Sequence, residues 1–310
     1  MKSGSNLEKL LAAGHFVFTG ELGPPRGASA EEVRRKAAFL KGRVDSVNIT
    51  DNQTAMVRMS SWAASVLLLG EGIEPNYQMV CRDRNRLAMQ SDVLGASALG
   101  IRNLLCLSGD HQKFGDHPES KGVFDIDSIQ LIGVVRAMRD EGVFQSGQPI
   151  SEPPRMFIGA ACNPFAAPEE WRVHRLAKKV EAGADFVQTQ SIYNMARFRE
   201  FVGQARDMGL LERVALLAGV TPLKSVGMAR YMQAKVPGMD MPDAVIRRIE
   251  GAKAKGRDAV AAEGIRMAVE QIQELREMDG VSGVHLMAIE WEHMVPEIAE
   301  AAGMLPRPQV

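Results

Sequence analysis

Eight short apolar runs recur along this chain at intervals that suit a repeating strand–helix unit. They span 16–21, 45–50, 75–80, 103–108, 156–161, 185–190, 213–219 and 283–288, and their first residues lie 29, 30, 28, 53, 29, 28 and 70 positions apart. A strand, its crossover helix and two loops need about 30 residues, so five of these intervals hold one unit each. Nearly continuous apolar runs are typical of parallel strands buried on both faces. The sequence therefore predicts an α/β fold, a (β/α)₈ TIM barrel.

The chain has 310 residues, and a barrel of this kind uses about 250 or more. We therefore expect 1–310 to form a single domain. The pattern adds an N-terminal helix at 7–13 and insertions after strands four and seven, where the two long intervals lie. Crossover helices are predicted at 29–40, with Ser29 as N-cap, and at 57–69.

Composition indicates a cytoplasmic protein with small-molecule chemistry. Lys and Arg number 37 against 38 Asp and Glu, without a long run of either sign, so nucleic acid and anionic membranes are not expected partners. No stretch approaches the roughly 20 apolar residues of a membrane span, and the N-terminus lacks a secretory signal. Three cysteines without a CxxC spacing are expected to be buried, reduced thiols.

Polar residues stand at or just past the predicted strand ends, where catalytic groups of this fold lie. They are Glu21, Asp51, Arg82, Asp110, Asn163, Gln190 and Glu290. Glu21 closes an otherwise apolar strand. A carboxylic acid shielded from water there holds its proton more tightly, which suits a general acid. The alternative is an ion pair with a basic neighbour at the rim.

Two polar clusters follow strands two and three. Residues 50–54 (TDNQT) could hydrogen-bond a flat heterocycle or a ribityl chain, or they could cap a helix. Arg82, Arg84 and Arg86 could neutralise phosphates. Because Asp83 alternates with them, we favour an ion-pair network.

Strands four and six also end in polar groups. Gly109 permits close backbone approach, and Asp110 is expected to project into the barrel mouth. His111 and His117 match no familiar metal-ligand spacing, so no metal site is expected. Gln188 and Gln190 face one side by alternation, and two inward amides are costly unless they are paired or bind a ligand. Lys179 could reach an anionic cofactor or lie exposed.

No Rossmann fingerprint, Walker motif, GxSxG elbow or HExxH is present. A nicotinamide could still serve as a reactant, but without that phosphate-binding device.

Together these stretches resemble the 5,10-methylenetetrahydrofolate reductase family across nearly the whole chain. The matching motifs are GELGPP at 20–25, SVNITDNQTA at 46–55, LGIRNLLCLSGDH at 99–111, KKVEAGADFVQTQ at 178–190, LAGVTPLKS at 217–225 and GVHLMAIEWE at 283–292. The resemblance is to the short bacterial form without the regulatory domain.

The resemblance implies a barrel that holds a flavin, usually FAD with FMN as the alternative, and that reduces methylenetetrahydrofolate by ping-pong hydride transfer from NADH or NADPH. It implies that Glu21 is the general acid, that Asp110 lies near the flavin and the pterin, and that Gln190 contacts folate or nicotinamide. Thr50 and Lys179 match flavin-binding positions of the family. We also predict that Asp51, Gln78, Ser108, Gly109, Asp110 and Ala160 bind the flavin, although Asp51 stands where the family places an aromatic residue.

Departures from the family pattern leave the electron donor open. Met232 stands where relatives place a phenylalanine that stacks on folate and nicotinamide, so Met232 and Met228 are predicted to bind substrate. We expect the segment 224–242 to govern the reductant side of the pocket. The chain could form a homo-oligomer or bind an electron-delivering partner subunit. Two other functions are open: the folate-binding subunit of a multi-protein reductase that takes electrons from a partner protein, and a flavin-free folate-dependent methyltransferase barrel.

Overall fold

The computed structural model describes residues 1–236 and 238–310, and its strands form a closed parallel barrel in chain order. The strands are β1 Val17–Leu22, β2 Val47–Ile49, β3 Pro75–Val80, β4 Asn103–Leu107, β5 Phe157–Cys162, β6 Phe186–Ser191, β7 Ala215–Val220 and β8 Gly283–Leu286. The helices are α1 Asn6–Ala12, α2 Ala30–Leu40, α3 Ser61–Gly70, α4 Arg86–Ala98, α5 Ser128–Arg136, α6 Arg172–Ala182, α7 Met195–Asp207, α8 Val226–Lys235, α9 Asp243–Gly251, α10 Arg257–Arg276 and α11 Val295–Ala301. The predicted TIM barrel is confirmed, and each strand begins within two residues of its predicted start.

The additions to the basic repeat are also where the spacing predicts them. Helix α1 precedes the first strand, the first insertion surrounds α5, and α8 and α9 precede the crossover helix α10. Ser29 caps α2 by accepting from the Glu32 amide at 3.2 Å. Helix α3 begins four residues later than predicted. The chain before it is held extended by a hydrogen bond from the Met59 amide to the Pro25 carbonyl (2.9 Å).

The lower end of the barrel interior, at the strand N-termini, is apolar. Leu7 and Leu10 of α1 pack there with Val17, and the Phe157 and Phe186 rings stack with centroids 5.2 Å apart. Gly159 leaves room for this stack, since a Cβ at that position would lie 2.3 Å from the Phe186 ring. This layer closes the barrel from below, so the space for a ligand lies at the opposite end.

Two buried carboxylates tie the lower ends of neighbouring strands together. Asp185 accepts from the Ile158 amide (2.8 Å) and pairs with Arg139 and Lys2, both at 2.5 Å. Asp45 accepts in the same way from the Phe18 amide (2.7 Å) and pairs with an arginine from the C-terminal segment. Charged groups at this end therefore hold the fold together.

The three cysteines are buried free thiols, which confirms the predicted burial. Burial raises the pKa of Cys81 to about 12 and that of Cys162 to about 11, and it raises the pKa of Cys106 as well. At about pH 8 only roughly one Cys81 thiol in ten thousand is ionised, and the thiolate is the reactive form. We expect iodoacetamide to leave the folded protein unmodified and to label all three thiols after denaturation, as read by intact mass. Rapid labelling of the folded protein would contradict this burial.

Within the described residues, no helix combines the length and the apolar character that crossing a membrane requires.

Candidate active site

A cavity of about 340 Å³ opens at the C-terminal ends of the strands. Its lining comes from seven of the strands and from α6, and its floor is made by inward-facing side chains in the middle of the barrel. The lining residues are Glu21, Asn48, Gln78, Leu105, Leu107, Ala161, Cys162, Asn163, Lys179, Gln188, Thr189, Gln190, His285 and Met287. A larger cavity of about 1050 Å³ lies at the opposite end beside Arg307 and Asp45. We place the site in the smaller cavity because barrels of this fold carry their chemistry at the strand C-termini.

Glu21 is the carboxylic acid among the described residues that line this cavity. Its side chain is 17% exposed, and its Oε2 lies 3.6 Å from Nε2 of the buried His285. On the other side of the ring, His285 Nδ1 lies 2.9 Å from the hydroxyl of Thr19. Glu21 therefore faces the cavity with one buried imidazole beside it, an arrangement in which it can give or take a proton.

Below Glu21, amides form a hydrogen-bonded layer across the barrel. Asn48 Nδ2 donates to Gln188 Oε1 (2.6 Å), and Gln188 Nε2 donates back to Asn48 Oδ1 (3.1 Å). Asn76 donates to the same Asn48 oxygen (2.8 Å). The predicted inward amide at 188 is thus paired within the protein, which removes the cost of burying it. The layer forms a rigid polar floor.

Gln190 lies above this floor at the cavity mouth. Its side-chain oxygen accepts from the Ser191 amide (2.9 Å), which leaves its NH₂ group for a ligand. The β6–β7 pairing shifts register between Gln188 and Ser191, and Thr189 lines the cavity as well. The irregular strand end therefore presents consecutive polar side chains to the site.

Lys179 reaches the cavity from α6. Its ammonium donates to the carbonyl of Ala161, and burial lowers the pKa of this lysine, with Cys162 nearby. The lysine was predicted to reach an anionic cofactor or to lie exposed. It is half-buried and faces the cavity, so it supplies the positive charge there.

Asp110 lies outside the cavity lining and braces a neighbouring loop. Its Oδ2 accepts from the Thr54 amide (3.1 Å), and its backbone carbonyl accepts from the Arg82 guanidinium (3.0 Å). Asn52, Thr54 and Ala55 all have φ between 44° and 57°. Such left-handed conformations of residues other than glycine cost about 1 kcal/mol or more each, and they persist only where surrounding contacts enforce them. Asp110 is one of those contacts, and its contact with flavin or pterin stays a prediction.

The arginines after β3 are paired with carboxylates, as the ion-pair interpretation predicts. Arg82 pairs with Asp83 (2.7 Å), Arg84 with the buried Asp51 (2.7 Å), and Arg86 with Asp125 (2.7 Å). Asp51 also accepts from the Val80 amide at 3.0 Å. The Asp51 carboxylate is therefore engaged within the protein, although Asp51 is one of the residues predicted to bind the flavin.

The remaining predicted flavin positions divide between the cavity and its surroundings. Gln78 lines the cavity, whereas the Thr50 hydroxyl bonds Gln53 and the Ser108 hydroxyl lies 3.2 Å from that of Ser128. Gly109 has φ +88°, a left-handed conformation that glycine adopts more easily than other residues. The Ala160 side chain is buried in the hydrophobic core between the strands and the surrounding helices, whereas the neighbouring Ala161 lines the cavity.

The two methionines predicted to bind substrate lie on α8. Met232 is buried in a separate cluster with Leu223 and Ile249, and Met228 packs against the edge of that cluster. The Tyr193 hydroxyl lies 3.6 Å from the Met232 sulfur. Of the segment 224–242, Pro237 lies outside the described residues; neither methionine is among the residues that line the cavity.

Sequence reasoning missed His285, which lies beside Glu21, and the buried polar residues below it. His285 stands within an apolar run, and Thr19, Asn48 and Asn76 are short polar residues inside strands. The period-two alternation would have found them, because Thr19 shares the inward face of β1 with Glu21.

A family model described as methylenetetrahydrofolate reductase matches residues 6–303. The chain belongs to this family. A Caenorhabditis elegans relative named probable methylenetetrahydrofolate reductase (NADPH) is 24% identical over 312 residues, which cover 96% of this chain and 44% of that protein. An Arabidopsis thaliana relative named methylenetetrahydrofolate reductase (NADH) 1 is 27% identical over 199 residues, covering 61% of this chain and 31% of that protein. This family member thus spans less than half the length of both relatives.

Among solved structures, the chain is similar to an uncharacterized protein from Clostridium thermocellum that binds two copies of 5-methyl-5,6,7,8-tetrahydrofolic acid. The TM-score is 0.63 at 12% identity, with 97% of this chain and 99% of that chain covered. At this identity the likeness shows the shared fold.

Proposed function

We propose that this chain reduces 5,10-methylenetetrahydrofolate to 5-methyltetrahydrofolate by flavin-dependent, ping-pong hydride transfer. The observation that carries the proposal is Glu21, the carboxylic acid that faces the cavity in a chain of this family. Ring opening of the substrate requires a proton at the folate N10 nitrogen, and a half-buried carboxylic acid beside the cavity can supply it. Relatives named for this activity, and a structural neighbour that binds the methylated product, support the choice of substrate.

The cavity has the character that a flat, conjugated ring needs. Leu105, Leu107 and Met287 offer apolar walls, and Gln78 and Gln190 offer amides at its edge. Ligand sites combine apolar surface with a few placed polar groups in this way. When bound there, a flavin, FAD or alternatively FMN, would supply the hydride chemistry. Lys179 places a positive charge on the side of β5, where it would favour electron-rich parts of the ring system.

Side chains of the protein would then have separate roles in the reaction. Glu21 donates the proton to N10, and Gln190 uses its NH₂ group to orient the folate or the nicotinamide. The amide floor of Asn48 and Gln188 excludes water from below. Met228 and Met232 of α8 do not line the cavity, so their contact with the substrate stays a prediction.

The proposal is tested by stopped-flow spectroscopy on the purified protein under anaerobic conditions. We expect a yellow protein that is bleached by NADH or NADPH and that is reoxidised by methylenetetrahydrofolate. A colourless protein that still binds folate would favour the methyltransferase alternative. A yellow protein that neither nucleotide bleaches, and that a separate electron-carrying protein reduces, would favour the partner-subunit alternative.

Replacing Asp110 by asparagine is expected to raise the reduction potential of the bound flavin and to slow folate reduction. A nearby negative charge disfavours the added electron density of the reduced ring, and asparagine removes that charge. The asparagine oxygen can still accept from the Thr54 amide, so the loop should keep its conformation. Potentials are measured by equilibration with a reference dye.

Asp110→Ala separates the two roles of this residue, because it removes the charge and the brace together. An unchanged potential in Asp110→Asn, with loss of flavin only in Asp110→Ala, would restrict Asp110 to bracing the loop.

A further inference from the structure

We propose that His285 is a positioning residue that donates its Nε2–H to Glu21, and that Thr19 fixes the imidazole tautomer that makes this donation possible. The inference rests on the proposed function, since it gives Glu21 a partner in the folate half-reaction. Nothing in the family resemblance or in the relatives assigns a role to either residue.

The placement of the three side chains follows from the strand register. Thr19 of β1 and His285 of β8 are paired residues of adjacent strands, and Glu21 follows Thr19 by two positions on the same inward face. The imidazole is 4% exposed, so it depends on protein groups for its hydrogen bonds. Its two ring nitrogens face Thr19 and Glu21, at 2.9 and 3.6 Å.

The direction of the hydrogen bonds can be followed from the amide floor upward. Gln188 Nε2 has two hydrogens; one goes to Asn48 (3.1 Å) and the other to the Thr19 oxygen (3.4 Å). Because Thr19 accepts from Gln188, its own hydrogen is free to be donated. The His285 Nδ1 acceptor at 2.9 Å is closer than the Val284 carbonyl at 3.4 Å. With Nδ1 as acceptor, the neutral ring carries its proton on Nε2, the nitrogen that faces Glu21.

An N–H directed at Glu21 stabilises the carboxylate that remains after Glu21 has donated its proton. The carboxylate left after Glu21 gives up its proton accepts this hydrogen bond, whereas the protonated acid benefits less. The contact of 3.6 Å is longer than a hydrogen bond, and a small rotation of the Glu21 side chain as charge develops would shorten it. His285 thereby stabilises the product of the proton transfer, and with it the transition state.

Other titratable groups face the same space. Lys179 of α6 and Cys162 of β5 line the cavity. Behind the loop that follows β1, Lys36 of α2 donates to the Gly23 carbonyl and pairs with Glu290 and Glu292 from the loop after β8. These groups stay the same in all Thr19 and His285 variants, so a difference between those variants reports on Thr19 and His285.

The first test reads the tautomer directly. In ¹⁵N NMR spectra of the holoprotein at about pH 8, we expect His285 to show a protonated Nε2 and an unprotonated Nδ1. The His285→Gln variant assigns the signal. In Thr19→Val, which keeps the shape and removes the hydroxyl, we expect a mixture of both tautomers; Thr19→Ser should retain the wild-type one. A wild-type ring protonated on Nδ1 would overturn the proposal, because Nε2 would then accept from Glu21.

The second test reads the folate half-reaction by stopped flow, separately from flavin reduction. In Thr19→Val we expect this step to slow by about tenfold, and in His285→Gln by about tenfold to a hundredfold, while flavin reduction keeps its rate. Because the N–H donor to the carboxylate is lost in these variants, the pH profile of the folate half-reaction should differ from that of the wild type. Thr19→Ser should restore both rate and profile.

Three outcomes are decisive. A Thr19→Val profile that coincides with the wild type would overturn the role of Thr19, and equal slowing of both half-reactions would reduce His285 to a structural residue. Wild-type protein whose reduced flavin is not reoxidised by methylenetetrahydrofolate would instead refute the proposed function, and the tautomer measurement would still decide the hydrogen-bond arrangement.

Discussion

Glu21→Gln is expected to slow reduction of methylenetetrahydrofolate by about 10²- to 10⁴-fold, the range that a general acid contributes, while the flavin is still reduced at the wild-type rate. Glutamine has nearly the same shape and cannot donate an acidic proton to the folate N10. The nicotinamide half-reaction transfers a hydride and needs no such proton. The two rates are measured separately by anaerobic stopped flow, and flavin content is measured in each preparation.

Glu290→Gln provides a matched control, because it makes the same chemical change at another strand-end glutamate. Glu290 pairs with Lys36 at 3.1 Å and does not line the cavity among the described residues. We expect it to change the folate half-reaction by less than about twofold, as for a half-exposed ion pair. If Glu21→Gln slowed both half-reactions alike, or no more than Glu290→Gln does, Glu21 would be a structural residue and the proposed function would lose its main support.

The strand positions were predictable because buried parallel strands require a strong and regular hydrophobic pattern in the sequence. Each needs a continuous apolar run, and five of the seven intervals between runs have nearly the same length. The C-terminal strand ends then follow, and so does the face on which Glu21 lies. These predictions depend on chain geometry alone, which explains why they succeeded at every strand.

The composition of the site was less predictable, because it depends on how loops fold back. Of the strand-end residues, Glu21, Asn163 and Gln190 line the cavity. Asp51 instead neutralises Arg84, a partner 33 residues away that no local pattern connects to it. Arg82 spans two loops, donating to the carbonyls of residues 52 and 110. A polar residue at a strand end can serve a ligand or another loop, and only the tertiary contacts decide which.

His285 shows a second limit of sequence-based prediction: a residue with a weak sequence signal can lie at the site. A single polar residue in an apolar strand is a weak feature in the sequence, yet in the barrel it lies against both Thr19 and Glu21. Its importance comes from the closure of the barrel, which pairs the last strand with the first. Residues 266 positions apart become neighbours in this way, and Glu21, the proposed general acid, lies where these two strands meet.

At the other end of the barrel, Asp185→Ala is expected to lower the free energy of unfolding by about 3–5 kcal/mol. The carboxylate is 3% exposed, accepts from the Ile158 amide and pairs with the equally buried Arg139 at 2.5 Å. Removing it leaves a buried guanidinium without its charge partner on that side and a strand amide without an acceptor, which is the costly way to break a buried pair. Chemical denaturation followed by circular dichroism measures the change.

Asp279→Ala is the matched control, since Asp279 is 85% exposed and pairs with Arg206 at 3.4 Å on the surface. Such a pair contributes about 0–1 kcal/mol. Both variants should keep the wild-type rates of the two half-reactions per folded molecule, because the apolar layer of Leu7, Phe157 and Phe186 separates the lower end from the cavity. A loss of stability in Asp185→Ala no larger than in Asp279→Ala would show that the buried carboxylate is not what joins β5 to β6. A fall in the folate rate at full stability would mean that the two ends of the barrel are coupled through that layer.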